Sequence, residues 1–124
     1  MGMFDSIAGR RTAKQVAGEA GEEQALLFLQ EKGLKLVERN FRCKGGEIDL
    51  VMQDGRELVF VEVRKRAGND YGGAAASITA RKQSRLVIAA QTFLQRYKMP
   101  PPCRFDVIAI EGAAMEWLKN AIEA

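Results

Sequence analysis

The residues of this chain that could carry out chemistry lie in the stretch GEIDLVMQDGRELVFVEVRKR, from Gly46 to Arg66. It reads as an apolar hairpin that contains acidic residues, among them Asp49 in the first strand and Glu62 in the second. If the hairpin brings their faces together, two carboxyl groups meet in a poorly hydrated place, where such a pair resists double ionisation unless a cation is shared. Oxygen ligands suit Mg²⁺ or Mn²⁺, which could bind a phosphate oxygen and activate water. The hairpin therefore predicts a divalent-metal site formed by Asp49, Glu62 and a strand carbonyl.

A plainer interpretation of these charges has to be weighed against the metal site. Taken singly, an acidic residue in a strand more often marks the solvated face of that strand or protects a sheet edge. The combination is less common, because an acidic residue leads one strand, a hairpin follows, and VEVRK lies inside an apolar run. The whole spacing therefore favours the metal site.

The composition of the chain limits the reaction mechanisms that it can support. With 124 residues, 47% of them hydrophobic, and no shift in composition along its length, the chain is predicted to form one domain, residues 1–124. It contains no histidine, which excludes Ser/His/Asp and Cys/His mechanisms. Cys43 and Cys103 are too few and too far apart for a disulfide framework or a zinc site, so we expect free thiols. Any catalysis must therefore use carboxylates, amines, guanidiniums and metals.

The charge of the chain favours a polyanionic partner. Lys and Arg number 19 against 16 Asp and Glu, which gives a formal net charge of +3. The residues predicted to contact nucleic acid are Lys65, Arg66, Arg81, Lys82 and Arg85 as a basic patch, and Tyr71 as a stacking face in the glycine-rich stretch NDYGGAAAS. The alternatives are a solvated helix face for the patch and an ordinary connecting loop for the glycine-rich stretch.

The sequence shows no pattern of a membrane or export segment. It contains no run of about eighteen or more apolar residues, and MGMFDSIAGRRTAK at its start lacks a long apolar stretch and a cleavage site. We therefore expect a cytoplasmic protein without membrane contact. Residues 1–12 are expected to form a flexible N-terminal tail.

Two helices are predicted, one before the hairpin and one after it. The first runs from about Thr12 to Lys32 and is stopped by Gly33. Its apolar residues recur at roughly helical spacing and are Val16, Ala20, Leu26, Leu27 and Leu29. The second helix is capped by Thr79 and runs to about Tyr97, where MPPP forbids its continuation.

Strands are predicted in LKLVERNF, EIDLVMQ, ELVFVEVRK and RFDVIAI. Asp54 and Gly55 are predicted as the two-residue loop of the hairpin, because both positions tolerate positive φ. Side chains alternate along a strand, so Ile48, Leu50 and Met52 are predicted to share a face. The stretch MEWLKNAIEA fits either a short strand or a helical tail. The order of the elements is therefore α, β, β, β, α, β, with an open end, which predicts an α/β fold.

These motifs together resemble a known group of proteins. GEIDLV, the hairpin, LVFVEV and a basic residue two positions after Glu62 resemble the D…ExK core of restriction-endonuclease-like nucleases. GEEQALLFLQEKG, ERNFR and RFDVI make the resemblance closer, to the YraN-like family of bacterial proteins, which is similar to Holliday junction resolvases. The resemblance covers about Gly18 to Ile110. It implies a restriction-endonuclease-like core of αβββαβ order, with a mixed sheet flanked by helices.

The resemblance also implies roles for individual residues. Asp49 and Glu62 would be metal ligands, and the main-chain carbonyl of Val63 would be a third. Glu22 in the first helix would be an additional acidic residue that reaches the same metal. Glu47 shares the face of Asp49 and would support the same metal.

Arg64 occupies the position of the lysine in the ExK motif. A lysine can help to position or deprotonate the attacking water, whereas a guanidinium stays protonated and can serve only as an electrophile and clamp. Arg64 is therefore expected to stabilise charge on the phosphate. Lys65 is expected to point to the opposite face of the strand, so that it cannot simply replace Arg64.

The favoured function is a nuclease, dependent on Mg²⁺ or Mn²⁺, that hydrolyses phosphodiester bonds of structured or branched DNA with a metal-activated water. The predicted catalytic residues are Glu22, Asp49, Glu62 and Arg64, and the predicted metal ligands are Asp49, Glu62, Val63 and Glu47. The alternative is a nucleic-acid-binding or scaffold protein that keeps the nuclease fold without turnover. A protein-interaction role with a purely structural hairpin, and a homodimer in place of a monomer, are further open alternatives.

Overall fold

The structure is a computed structural model, and it describes residues 13–65 and 78–122, with side chains from residue 20 onward. Its helices and strands are α1 (Ala13–Glu31), β1 (Lys35–Cys43), β2 (Gly46–Asp54), β3 (Glu57–Lys65), α2 (Ala80–Leu94), β4 (Cys103–Glu111) and β5 (Ala114–Leu118). The tail predicted at residues 1–12 lies outside the described residues, as do Arg66 and Tyr71 of the predicted nucleic-acid contacts.

The five strands form one sheet in the order β1-β2-β3-β4-β5. Neighbouring strands are antiparallel except β3 and β4, which are parallel and are connected through α2. A parallel pair requires such a crossover. This mixed sheet with two helices confirms the predicted α/β fold and the order α, β, β, β, α, β. The open C-terminal stretch forms the edge strand β5, in which Met115 pairs with Ile110.

Apolar side chains form two clusters, one on each face of the sheet. The α1-side cluster contains Ala25, Leu26, Leu29, Leu34, Leu50, Met52, Val59, Val61, Ile108 and Ile110. The α2-side cluster contains Ile48, Val51, Leu58, Phe60, Ile78, Leu86, Ala89, Ala90, Phe93, Phe105, Val107 and Ile122. Residues of β3 alternate between the two, since Leu58 and Phe60 lie on the α2 side while Val59 and Val61 lie on the α1 side. The two helices therefore cover opposite faces of the sheet.

α1 ends next to Gly33, as predicted, but Leu27 does not lie on the buried face of the helix. Gly33 has a φ of 95°, and the N–H of Leu34 donates to the carbonyl of Leu29 at 3.0 Å, which closes the helix. Leu27 is 56% exposed, whereas Leu26 and Leu29 are buried. The reason is that only one stripe of a helix can face the sheet, and Leu27 lies outside that stripe.

The second helix begins at its predicted cap and ends earlier than predicted. The Thr79 side chain accepts a hydrogen bond from the N–H of Lys82 at 3.2 Å. α2 ends at Leu94, since the N–H of Tyr97 donates to the Leu94 carbonyl at 3.1 Å and so forms a tighter turn than an α-helix. Among the residues that the structure describes, neither helix is long and apolar enough to cross a membrane.

The turn between β2 and β3 lies one residue later than predicted. Asp54 pairs with Glu57, so the two loop residues are Gly55 and Arg56. Gly55 has a φ of 63°. Of the two loop residues only the first has a positive φ, as in a type II′ turn, and glycine takes that first position.

The alternation of β2 breaks at Asp49, which corrects the prediction that Ile48, Leu50 and Met52 share a face. Leu50 and Met52 belong to the α1-side cluster, but Ile48 belongs to the α2-side cluster. The described pairs between β2 and β3 run from the turn to Leu50 with Val61. Asp49 and the neighbouring part of β3 therefore lie at a fork, where the two strands separate.

Gly46 begins β2 at a place where α2 lies directly against the strand. A Cβ atom on Gly46 would collide with the carbonyl oxygen of Arg85 and would lie 2.8 Å from the amide nitrogen of Ala89. Both are backbone atoms of a packed helix and cannot yield unless α2 shifts. Gly46 therefore allows α2 to approach the start of β2 closely.

Gly46→Ala is expected to lower the free energy of unfolding by about 1–3 kcal/mol, because α2 must move to admit the methyl group. Urea unfolding followed by circular dichroism measures this loss. Gly21→Ala is the matched control, since its Cβ would lie 3.7 Å from Ile110 Cδ1, an ordinary contact. Alanine in a helix interior is favoured over glycine by about 0.5–1 kcal/mol, so the control is expected to stabilise. The same gain in both variants would show that α2 does not constrain residue 46.

An ion cluster around Asp106, which we call the Asp106 cluster, holds the end of the sheet next to the hairpin turn. Asp106 is fully buried. Its carboxylate accepts hydrogen bonds from Arg104 Nε at 3.0 Å, Trp117 Nε1 at 2.9 Å and the backbone N–H of Asn120 at 2.8 Å. Arg104 also donates to Glu57 at 2.8 Å and to Asp54 at 3.1 Å. The Asp106 cluster therefore ties the β2–β3 turn to β4 and β5.

The two cysteines are free, as predicted, and the structure shows both to be half-buried. Cys43 pairs with Gly46 at the start of β2, whereas Cys103 pairs with Leu58 near the turn at the other end of that strand. Burial raises the pKa of the Cys103 thiol. The sheet therefore keeps the two thiols apart.

Candidate functional site

A cleft of about 480 Å³ opens at the fork between β2 and β3. The residues that line it are Gly21, Glu22, Glu47, Asp49, Glu62, Val63, Lys65, Thr79, Arg81, Lys82 and Arg85. They come from α1, β2, β3 and the start of α2. The cleft thus combines carboxyl groups of α1, β2 and β3 with cationic groups of β3 and α2.

The structure brings Asp49 and Glu62 into contact. Their side chains are hydrogen-bonded to each other, and Asp49 Oδ2 also accepts a hydrogen bond from the N–H of Val63 at 2.8 Å. The separation of β2 from β3 makes room for this pair, since the strand backbones no longer bond at this level. Val63 lines the cleft beside them, so three of the four predicted metal ligands lie together.

Glu62 takes up a proton readily in this environment. Burial, then the hydrogen bond and the negative charge of Asp49, raise the pKa of Glu62 to about 9, with a smaller contribution from the charge of Glu47. The charge of Lys82 acts in the opposite direction. At neutral pH Glu62 therefore keeps a proton in its hydrogen bond with Asp49. A divalent cation could take the place of that proton and stabilise both carboxylates.

The two other predicted acidic residues, Glu22 and Glu47, lie on the walls of the cleft. Glu22 in α1 is half-buried there, whereas the adjacent Glu23 is exposed and pairs with Arg39 at 2.9 Å. Glu47 is exposed, and its carboxylate lies 3.7 Å from Arg42 Nε. Within the described residues, no three Asp, Glu or Cys side chains are grouped closely enough to form a ready metal cluster. The carboxyl pair is therefore the centre of the site.

The first turns of α2 form the cationic wall of the cleft. Arg81, Lys82 and Arg85, which the sequence predicts as nucleic-acid contacts, all line it. Arg85 and Ala89 lie against Gly46, so the wall is fixed to the strand that carries Asp49. The N-terminus of a helix also carries partial positive charge. This wall of the cleft therefore suits an anion.

The last residues of β3 differ from the prediction in one respect. Lys65, predicted to point away from the site, lines the cleft together with Glu62 and Val63. Consecutive residues can reach the cleft because β2 no longer pairs with β3 here and the space is open to both faces of the strand. Arg64 is half-buried and, within the part of the chain that the structure describes, lies outside the cleft lining. Its predicted contact with the phosphate stays a prediction.

Three residues that shape the cleft were not predicted to do so. Thr79 caps α2 and lines the cleft, Gly21 lines it from α1, and Gly46 sets the approach of α2. For Thr79 a signal exists, because an N-cap two and three residues before Arg81 and Lys82 places both of them in the first helical turn. The sequence GG at residues 45–46 signals only a turn, and the close approach at Gly46 depends on contacts that are distant in sequence.

Comparison with known proteins identifies the family. The profile described as "Uncharacterised protein family UPF0102" matches residues 21–110 of this chain. A UPF0102 protein of Janthinobacterium sp. (strain Marseille) is 72% identical over 114 residues, which cover 92% of this chain and 93% of the relative. One of Herminiimonas arsenicoxydans is 70% identical over 114 residues, 92% of each chain. One of Ralstonia pickettii (strain 12J) is 59% identical over 109 residues, 84% of this chain and 87% of the relative. The chain therefore belongs to the UPF0102 family, the YraN-like family that its motifs resemble.

Proposed function

We propose that this protein is a divalent-metal-dependent nuclease that hydrolyses phosphodiester bonds of structured or branched DNA. One observation carries the proposal: Asp49 and Glu62 share a hydrogen bond in a cleft whose lining, among the described residues, includes four cationic side chains. Carboxyl groups that can exchange a proton for a metal ion suit the metal, and the cations suit the phosphates. The choice of branched DNA comes from the resemblance to Holliday junction resolvases.

The donor groups of the cleft fit Mg²⁺ or Mn²⁺. Asp49 and Glu62 would hold the ion through carboxylate oxygens, and Val63, through its carbonyl, and Glu47 are the further predicted ligands. Mg²⁺ is commonly bound through one or two carboxylates and keeps water molecules or substrate phosphate oxygens as its other ligands, so a carboxyl pair suits it better than a closed cage would. When bound, the ion would neutralise charge on the phosphate and lower the pKa of a water molecule.

The residues around the carboxyl pair would orient the reacting groups. The N–H of Val63 holds one oxygen of Asp49 at 2.8 Å, so this carboxyl keeps its orientation while Glu62 gains or loses a proton. Lys65, Arg81 and Arg85 would bind phosphates that flank the reacting one, which fixes the register of the DNA. Partial burial of the site strengthens each of these charge interactions relative to water.

A second candidate function is nucleic-acid binding without cleavage. The observation that favours it is Arg64, which replaces the motif lysine and lies outside the lining of the cleft among the described residues. In that case the protein would bind DNA without metal. Each phosphate contact would then add about 0.9 to the slope of log affinity against log salt concentration.

Cleavage assays with the wild-type protein and Asp49→Asn test the proposal. Labelled four-way junctions, single strands and duplexes are incubated with MgCl₂ or MnCl₂, and the products are separated on denaturing gels. We expect the wild-type protein to cut at least the junction. Asp49→Asn is expected to reduce the rate by about a thousandfold, because it removes both a metal ligand and the partner of Glu62.

Calorimetric titration with MnCl₂ separates loss of the metal from loss of the fold. Asp49→Asn is expected to bind Mn²⁺ more weakly while its circular dichroism spectrum stays that of the wild type. Equal Mn²⁺ affinity in both proteins would rule out the metal site. Junction binding in EDTA, together with no cleavage in either metal, would favour the second candidate function.

A further inference from the structure

We propose that Lys82 supplies the positive charge at the attacked phosphate, a role that the sequence motif assigns to Arg64. This inference rests on the proposed nuclease function and deepens it by naming the group that binds the reacting phosphate. Lys82 lies in the first turn of α2 and lines the cleft together with Asp49 and Glu62. A phosphate held by metal at that carboxyl pair would therefore lie within the reach of a lysine side chain on the opposite wall.

Two structural contacts fix the backbone position of Lys82. Its N–H donates to Thr79 Oγ1 at 3.2 Å, which orders the first turn of α2. One turn later the helix backbone at Arg85 lies against Gly46, at the start of the strand that carries Asp49. The position of Lys82 relative to the carboxyl pair is therefore set by packing between α2 and β2, and no ion pair is needed to hold it there.

Four other cations of the described residues lie in or near the site: Arg64, Lys65, Arg81 and Arg85. Arg64 lies outside the lining of the cleft in the part of the chain that the structure describes. Lys65, Arg81 and Arg85 line the cleft as Lys82 does. Lys82 is the middle member of the row Thr79, Lys82 and Arg85, which follow one another three residues apart from the cap of α2 and all line the cleft. Among the cationic side chains that the structure describes, Lys82 is the one whose charge ranks among the main influences on the Glu62 carboxyl. Lys82 is therefore the described cation whose charge acts most directly on the carboxyl pair.

The chemistry of phosphodiester hydrolysis explains what the positive charge of Lys82 would do. Hydrolysis adds one water molecule across a P–O bond: the water oxygen bonds to phosphorus and the bond to one sugar oxygen breaks. The leaving sugar oxygen gains one proton, and the other proton of the water stays on the new phosphate or passes to solvent. Negative charge grows on the phosphate oxygens during the attack, and an ammonium group that donates to them stabilises it. Lys82 would act through its charge and its N–H donors, with no proton transfer of its own.

Single-turnover cleavage of a labelled four-way DNA junction in MgCl₂ tests this inference. Lys82→Gln is expected to lower the rate by about a hundredfold to a thousandfold, the usual effect of removing one donor to a developing oxyanion. Lys82→Arg keeps the charge and is expected to stay within about tenfold of the wild type. Lys98→Gln is the matched control, because it removes the same charge from an exposed lysine beyond the C-terminal end of α2. This control is expected to cleave at the wild-type rate.

Calorimetric titration with MnCl₂ gives a readout that does not depend on activity. Lys82→Gln is expected to bind Mn²⁺ about threefold to tenfold more tightly than the wild type, because a neighbouring positive charge is removed. Weaker Mn²⁺ binding would show that Lys82 only holds the site together, and would overturn the inference.

The cleavage results separate this inference from the function on which it rests. If Lys82→Gln cuts as fast as the wild type, or if only Arg64→Ala loses activity, the inference is wrong and the nuclease function stands. If the wild-type protein cuts no DNA under any of these conditions, the proposed function fails and the inference fails with it.

Discussion

Asp106→Ala is expected to lower the free energy of unfolding by about 3–5 kcal/mol, the usual cost of removing one partner from a buried ion pair. Asp106 is fully buried, and its carboxylate accepts hydrogen bonds from Arg104, Trp117 and the backbone N–H of Asn120. Alanine would leave the indole N–H and the backbone N–H without their acceptor. It would also leave the guanidinium of Arg104, which is 13% exposed, without its buried counter-ion. These buried N–H donors without an acceptor lower the free energy of unfolding further.

Urea denaturation measures this effect, and Asp54→Ala is its matched control. Asp54 binds the same guanidinium at 3.1 Å, but its side chain is 40% exposed. The loss expected for the control is about 0.2–1 kcal/mol, as for other exposed ion pairs. The Asp106 cluster lies at the turn end of the sheet, so the folded fraction of Asp106→Ala is expected to bind Mn²⁺ as the wild type does. If Asp106→Ala lowers the free energy of unfolding by no more than Asp54→Ala does, the buried carboxylate adds no stability beyond that of an exposed ion pair.

Glu62→Gln is expected to be more stable than the wild type in neutral to alkaline buffer without metal. Burial and the neighbouring Asp49 raise the pKa of Glu62 from its ordinary value of 4.5 to about 9 in the folded protein. The folded protein therefore keeps a proton that the unfolded chain loses, so the stability of the wild type falls as the pH rises from 4.5 to about 9. Glutamine cannot ionise and avoids this loss. Because the loss is at most about 1.4 kcal/mol per pH unit, we expect a difference of about 2–4 kcal/mol near pH 7.5.

Unfolding in urea at about pH 5 and about pH 8 tests the expected pH dependence. The two proteins should be similar in stability at the lower pH, with Glu62→Gln ahead at the higher pH. Glu47→Gln is the control, since Glu47 is exposed on the same cleft, and it should follow the wild type. If a metal binds the pair, MnCl₂ should reverse the order by stabilising the wild type more than Glu62→Gln. Parallel pH curves for wild type and Glu62→Gln would contradict the assigned pKa.

Local sequence patterns, together with the resemblance to the D…ExK core, predicted the carboxyl pair. The apolar alternation of β2 and β3 and the glycine in their turn are encoded within a few residues, and together they bring Asp49 towards Glu62. The observed turn at Gly55–Arg56 sets a register that extends to Asp49 opposite Glu62, whereas the predicted turn at Asp54–Gly55 would have set Asp49 opposite Phe60. The predicted N-cap at Thr79 was confirmed. Capping could be predicted because it depends on neighbouring residues alone.

The details of the cleft could not be predicted because they depend on contacts between distant parts of the chain. Strict strand alternation predicts that Ile48 shares a face with Leu50 and that Lys65 points away from the site. In the structure Ile48 and Leu50 lie on opposite faces of the sheet, and Lys65 lines the cleft. Both departures arise at the fork, where β2 leaves β3 and lies under α2. The closeness of that helix depends on Gly46 fitting under Arg85 and Ala89, a contact that no local pattern in the sequence encodes.

The parallel pairing of β3 with β4 sets the order in which the protein can fold. β1, β2 and β3 follow one another through short turns and can pair locally, whereas Leu58 can pair with Cys103 only after the intervening chain has been ordered. Such non-local pairs form late, because the entropy of the intervening chain must be lost before they gain stability. The carboxyl wall of the cleft belongs to the early part, and Lys82 and Arg85 belong to the late part. We therefore expect the acidic side of the cleft to form first in the nascent chain, and the cleft to be completed when α2 packs on the sheet.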